Sequence, residues 1–284
     1  MTLDRRLHAY REDLADKALQ GQVTAARFVV GDPASIAVPV VGLRPKPDAA
    51  GGIDTELLHG EDVVVFDRAA GWAWVQAKSD GYVGYLPESA LTDVMEPLTH
   101  HVIVPRTFLY PGPDLRFPVS AVFSMGSRIA VIGEAETRGT RYFLLSDGRA
   151  VVAAHCLPLG TYATDDYVAI AARFLETPYL WGGRSGFGID CSGLVQLALQ
   201  MTGRSAPRDS DMQASGLGDA IERSDLRRGD LVFWKGHAGI MSDDRTLLHA
   251  NGHTMTVALE DFEAAVKRIG WLYEMPTGYR RPVA

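Results

Sequence analysis

The order of apolar and polar positions divides the chain into two kinds of text. Between about residues 25 and 160, apolar residues come in short alternating runs broken by Gly, Pro and Asp. The clearest are GEDVVVFDRAAGWAWVQAKSDGYVGYLP (60–87) and GSRIAVIGEAETRGTRYFLLSDGRAVVAA (126–154). A period of two predicts half-buried strands, and the SDG in each run predicts an Asp-Gly hairpin turn. The two runs belong to a repeat. LRPKPD at Leu43–Asp48 returns as LYPGPD at Leu109–Asp114, 66 residues later. The same offset carries Gly60 onto Gly126, Val65 onto Val131 and Leu91 onto Leu157, while Gly81 and Gly148 slip by one. A shared offset at separated landmarks marks a duplicated unit. Two small β-barrels fit best, with one irregular β-sandwich as the alternative. Trp72 and Trp74, at strand spacing, are expected in the barrel core.

Flanking this region the period changes. Leu and Ala spacing in the charged opening segment predicts a helix over Asp4–Leu19. Tyr167, Ile170, Ala171 and Phe174 at i, i+3, i+4 and i+7 predict a helix capped by Thr164 and ending before Thr177-Pro178. After the glycine-rich WGGRSGFGID, a second helix is expected from Cys191 to Met201, stopped by Gly203. The strand-like runs DLVFW, HAGIMS, RTLLHAN and TMTVAL follow. Helices and then antiparallel strands make an α+β pattern. The expected segments are an N-terminal helix (1–24), a first barrel (25–96), a second barrel (97–160) and an α+β domain (161–284).

The 284 residues carry 28 Lys and Arg against 35 Asp and Glu, a net charge of −7. That balance gives no support for nucleic-acid or membrane binding. No apolar run reaches the roughly 18 residues of a membrane span. The opening segment lacks the apolar stretch of a secretion signal, so a cytoplasmic protein with reduced Cys156 and Cys191 is expected.

Cys191 stands where the second helix begins. Unpaired N–H groups and the positive end of the helix dipole favour a thiolate there, and could hold an oxyanion. Small Ser192 and Gly193 would let a substrate carbonyl approach. A nucleophilic thiol needs a base, and the base an orienting partner. In GHAGIMSDDRTLLHANG a hairpin centred on Asp243 would set His237 opposite His249 on one face; a one-residue slip would separate them. Cys156, in the apolar run VVAAHCLPL, is expected in a core. A zinc site from Cys191, His237, His249 and His253 is an alternative, though paired ligands of the Cys-x2-Cys kind are lacking. His253 is expected in a solvated turn.

From Asp165 to the C-terminus the chain resembles the NlpC family of papain-like cysteine peptidases, which cut bacterial cell-wall peptides. TPYLWGG, DCSGLVQ, RDS (208–210), RRGDLVFW, GHAGIM and LLHANG, in that order, carry the resemblance. It implies a papain-like fold preceded by two bacterial SH3-like barrels, and a triad at Cys191, His237 and His249. Barrels plus RDS resemble a subgroup cleaving γ-D-glutamyl bonds of short peptides with a free N-terminal L-Ala. In that subgroup Asp209 and Ser210 would bind the amine, while Tyr179, Asp190 and Ser192 would line the pocket. Tyr82 of the first barrel would close the cleft, with Glu61 a weaker match. The second barrel reads DGRAVVAA in place of DG-Y-G and is expected to be structural. The resemblance implies no metal or cofactor, short peptidoglycan stem peptides as partners, a monomer, and a role in recycling wall fragments. Two alternatives use the same residues differently: an amidase or acyltransferase, and a wall-binding module whose cysteine domain is idle.

Overall fold

The structure, a computed structural model, describes residues 3–94 and 96–283. The chain divides at Leu159–Gly160 into two compact units.

The first unit contains the repeat, and its strand pairings repeat with the sequence. Strands Val40–Leu43 and Thr55–Leu58 pair antiparallel, from Val40↔Leu58 to Leu43↔Thr55. Their counterparts Arg106–Tyr110 and Ala121–Ser124 keep that register, from Arg106↔Ser124 to Leu109↔Ala121. The first long hairpin has a register shift between Val65 and Asp67, and the second has one between Val131 and Gly133. Each hairpin turns on two left-handed residues, Ala70-Gly71 (φ 51° and 80°) and Arg138-Gly139 (φ 51° and 77°). That pair of positive angles matches the right-handed twist of the strands it joins. Both SDG segments are turns between strands. Asp80 Oδ1 accepts from the Tyr82 amide at 3.0 Å, and Asp147 Oδ1 from the Arg149 amide at 2.9 Å. Each block has its own core: Ile36, Leu43, Val65 and Val75 with Tyr82 in the first, and Val102, Leu109, Phe123 and Val151 with Cys156 in the second.

Two expectations fail in this unit. Asp4–Leu19 is not a helix; it holds a strand at Leu14–Asp16, paired parallel with Arg27–Val29, and a 3-10 turn at Lys17–Leu19. Asp16 accepts from the Ala18 amide and caps that short turn, a local bond that competes with helix continuation. The apolar residues Ala9 and Leu14 pack instead on Phe66, Trp74 and Val83. Trp74 therefore lies on the outer face of the sheet, under the N-terminal segment and 4.4 Å from the Arg11 guanidinium, and not in the inner core.

Among its described residues the second unit carries four α-helices: α1 (Tyr167–Ala172), α2 (Cys191–Gln200), α3 (Ser210–Gly216) and α4 (Phe262–Leu272). Asp166, not Thr164, caps α1, accepting from the Val168 and Ala169 amides at 3.0 and 3.1 Å. A six-stranded antiparallel sheet runs in the order 219–220, 278–281, 231–234, 237–241, 246–251, 256–261. The four strand-like runs all occupy it. Phe262, Ala265, Val266 and Ile269 of α4 pack on Val232, Trp234, Met241 and Leu247. Helix α2 packs against the strands that begin at His237 and Thr246. Among the described residues no helix is long and apolar enough to cross a membrane.

Candidate active site

Helix α2 starts at Cys191 because Asp190 caps it: extended backbone at Asp190 lets Oδ1 accept from the Gly193 amide at 2.7 Å. The same carboxylate accepts from the Gly182 amide at 2.9 Å through Oδ2. Arg208, 1% exposed, forks onto both of its oxygens at 3.0 and 2.6 Å. One Arg208 nitrogen also donates to Ser192 Oγ at 2.9 Å, and another to the Gly183 carbonyl at 3.3 Å. A buried charge pair survives only when its remaining hydrogen-bonding positions are filled, and this one is filled by the glycine loop and the helix start. Asp190 and Ser192, expected to line the pocket, are thus buried and engaged in building it. Gly193 is also held small by the fold itself. A Cβ there would lie 2.4 Å from the Gly183 carbonyl, so the packing of helix against loop requires a glycine.

The Cys191 sulfur sits at this helix start, 5% exposed, facing the backbone amides of Ser192 and of Ala238, the residue after His237. Those amides and Arg208 favour the thiolate, as the helix-start argument requires. Burial and the nearby Asp190 carboxylate oppose them and win, pushing the thiol up to about 12. The net direction is upward, against the lowering that a helix start alone would give.

The two histidines meet. His237 Nε2 and His249 Nδ1 are 2.9 Å apart, with ring centroids at 5.2 Å and planes at 62°. The hairpin, however, is centred on Asp244: Ile240 pairs with Leu248 and Met241 with Leu247. Asp243 makes the turn by accepting from the Arg245 and Thr246 amides. Moving the centre by one residue moves each partner by two, so the face is kept and His249 lies diagonal to His237 instead of opposite it. Burial pushes His237 down to about 3, helped by His249 and Arg268. His249 is fully buried, and its Nε2 lies 3.2 Å from Glu260 Oε2. Arg268 holds Glu260 with two further bonds, Nε to Oε1 at 3.0 Å and an Nη to Oε2 at 2.5 Å. The His249 bond first, and then Arg268, lower the Glu260 carboxyl to about 2.

The other expected residues distribute as follows. Tyr179 is half-buried; its amide donates to the Met255 carbonyl at 2.8 Å, and burial followed by Cys191 and Asp190 raises its hydroxyl pKa. Asp209 is the N-cap residue of α3 without a side-chain cap bond, and Ser210 opens that helix; both are partly exposed. Tyr82 and Glu61 belong to the first unit. Tyr82 is 3% exposed in the core of the first block, and Glu61 accepts from the Leu58 amide at 2.8 Å. His253 is exposed, and both cysteines are free thiols. Arg208, Glu260 and Arg268 were missed by sequence reasoning. Arg208 stood in view as the first letter of RDS. Glu260 shared the alternation of His249's neighbouring strand, a weak signal without the register.

Comparisons with known proteins give the family. Residues 176–269 match the family described as NlpC/P60, and residues 43–91 match the bacterial dipeptidyl-peptidase Sh3 domain. The gamma-D-glutamyl-L-lysine dipeptidyl-peptidase of Bacillus cereus is 30% identical over 232 residues, covering 71% of this chain and 68% of that protein. The chain belongs to the NlpC/P60 family. A second NlpC/P60 relative, the gamma-D-glutamyl-L-lysine dipeptidyl-peptidase of Bacillus subtilis, is 29% identical over 221 residues, 70% of this chain and 72% of its own. A solved NlpC/P60 family protein from Bacillus cereus shares the fold with a TM-score of 0.73 at 24% identity, covering 89% of this chain and all of that one. The protein is an NlpC/P60 cysteine peptidase with an SH3-like domain and a papain-like catalytic fold.

Proposed function

We propose that this NlpC/P60 peptidase hydrolyses the bond between γ-D-glutamate and a diamino acid in short cell-wall peptides with a free N-terminal L-Ala. The contact between His237 and His249, beside a helix that opens on Cys191, carries the reading. The names of the Bacillus relatives support the substrate class. The upward shift of the thiol and the downward shift of the imidazole both favour a neutral pair at rest. His237 takes the thiol proton as the sulfur attacks the γ-glutamyl carbonyl, and the imidazolium that forms is steadied by His249. Amides at the sulfur hold the oxyanion, with the Tyr179 hydroxyl, kept protonated, as a further donor. His237 returns its proton to the departing amine. Water then attacks the thioester, giving up a proton to His237, and frees the dipeptide and the thiol.

Asp209 and Ser210 bind the ammonium of L-Ala in this reading, since a carboxylate is the natural partner of a cation in a confined site. We read both blocks of the first unit as SH3-like barrels, the second a structural copy, and the activity as part of recycling wall fragments. The test compares kcat/KM for L-Ala-γ-D-Glu-L-Lys with that for its N-acetylated form. A loss of about a hundredfold on acetylation, the scale of a charged hydrogen bond of up to ~3 kcal/mol, is expected. Equal rates would remove the amine-binding role of Asp209.

A further inference from the structure

We infer that Glu260 is a positioning residue for this site, fixing the tautomer of His249 and, through it, the nitrogen on which His237 acts as base. The inference rests on the reading of Cys191, His237 and His249 as the catalytic group. Glu260 pairs with Leu247 in the register of the last two strands, while His249 pairs with Ala258. That places the carboxylate diagonal to the imidazole, where Oε2 reaches Nε2 at 3.2 Å. An ionised carboxylate only accepts, so Nε2 of His249 carries the hydrogen. In the neutral ring Nδ1 then holds the lone pair, and it lies 2.9 Å from His237 Nε2. Two lone pairs at that distance would repel, so His237 Nε2 carries a hydrogen and Nδ1 is its basic nitrogen.

Arg268 completes the device. Its two bonds to Glu260 keep the carboxylate ionised and aimed, and they neutralise a charge that would otherwise sit unpaired behind a fully buried imidazole. An imidazole third group fixed by a carboxylate does what a carboxylate alone does in other triads: it selects one tautomer of the base, without which the base presents the wrong atom.

The experiment compares Glu260→Ala and Glu260→Gln with the parent enzyme, using the free tripeptide and 15N NMR of His249. The parent ring is expected with Nε2 protonated and Nδ1 bare. Glu260→Ala is expected to lower kcat about tenfold, less than the hundredfold or more carried by a general base itself, with KM within about twofold. Glu260→Gln, whose amide oxygen still accepts from Nε2, is expected to stay within about threefold of the parent and to keep its tautomer. Unchanged kcat in Glu260→Ala overturns the inference. So does a parent His249 protonated at Nδ1, a measurement that stands even if the alanine variant does not fold. Cys191→Ala, run alongside, separates the two levels. Turnover surviving there removes the catalytic reading itself, whereas an inactive Cys191→Ala with a fully active Glu260→Ala removes only the role of Glu260.

Discussion

The two cysteines have almost the same burial and the same titration behaviour, yet opposite surroundings. Cys156 lies in a strand of the second block, packed among Val102, Leu109, Phe123, Ile129, Leu145 and Val151; burial alone pushes its thiol up to about 12. Cys191 is pushed to the same value, but at a helix start, against two backbone amides and an Arg-Asp pair, in a helix that packs on the strands carrying the histidine pair. In the proposed mechanism the difference between the two thiols is therefore not a low resting pKa. It lies in the groups around Cys191 that would receive the proton and the charge once a carbonyl arrives, where Cys156 has an apolar core around it.

The largest test of that contrast is substitution. Cys191→Ala should lower turnover by about 10⁶-fold, to background, since a nucleophile's removal leaves only binding and the oxyanion donors. Cys156→Ala should leave kcat/KM within about twofold while lowering stability by roughly 1–2 kcal/mol, as loss of a small buried group does. A large activity loss in Cys156→Ala would break the comparison. Next comes the charge pair that only Cys191 possesses. Arg208→Met leaves Asp190 buried without its cation, and should cost about 3–5 kcal/mol in denaturant unfolding. A midpoint unchanged from the parent would show that the pair is incidental to the helix start.

The smallest effect concerns what the two thiols share. Each folded pKa lies above the unfolded value of 9.0, so each thiol's contribution to stability is complete below pH 9 and is lost as pH rises toward 12. His237 has the opposite sign: folded about 3 against 6.5 unfolded, its contribution is complete above pH 6.5 and is lost as pH falls toward 3. Stability should therefore be flat between about pH 6.5 and 9. Cys156→Ala and Cys191→Ala should each make the alkaline fall shallower, and to a similar degree, in urea titrations at pH 8 to 11. A slope altered by only one of them would mean that the thiols are not equivalent at rest.

Local chemistry decided what was legible beforehand. The repeat could be read because each block spells its turns in Gly and Asp; the register shifts at Val65 and Val131 then fell at the same 66-residue offset. The start of α2 could be read because the glycine-rich WGGRSGFGID gives way to an apolar helical run. The opening segment misled because its Leu and Ala spacing fits a helix, while the partners that bury Ala9 and Leu14, namely Phe66, Trp74 and Val83, stand some 50 to 75 residues away. The hairpin register depended on whether Asp243 or Asp244 is central, a choice made by two amide bonds to one carboxylate. The histidine contact survived because alternation in a strand has period two. Arg208 and Glu260 were hidden for a common reason: each acts across the fold, on Asp190 18 residues away and on His249 11 residues away.

The central claim is that the sulfur of Cys191 becomes covalently acylated when its neighbours accept its proton. Acid-quenching the enzyme during turnover of L-Ala-γ-D-Glu-L-Lys and measuring intact and peptide-level mass tests it directly. The account predicts an L-Ala-γ-D-Glu adduct on the peptide containing Cys191, accumulating in the first turnover. Steady turnover with no adduct at all, or with the adduct on Cys156, would contradict it.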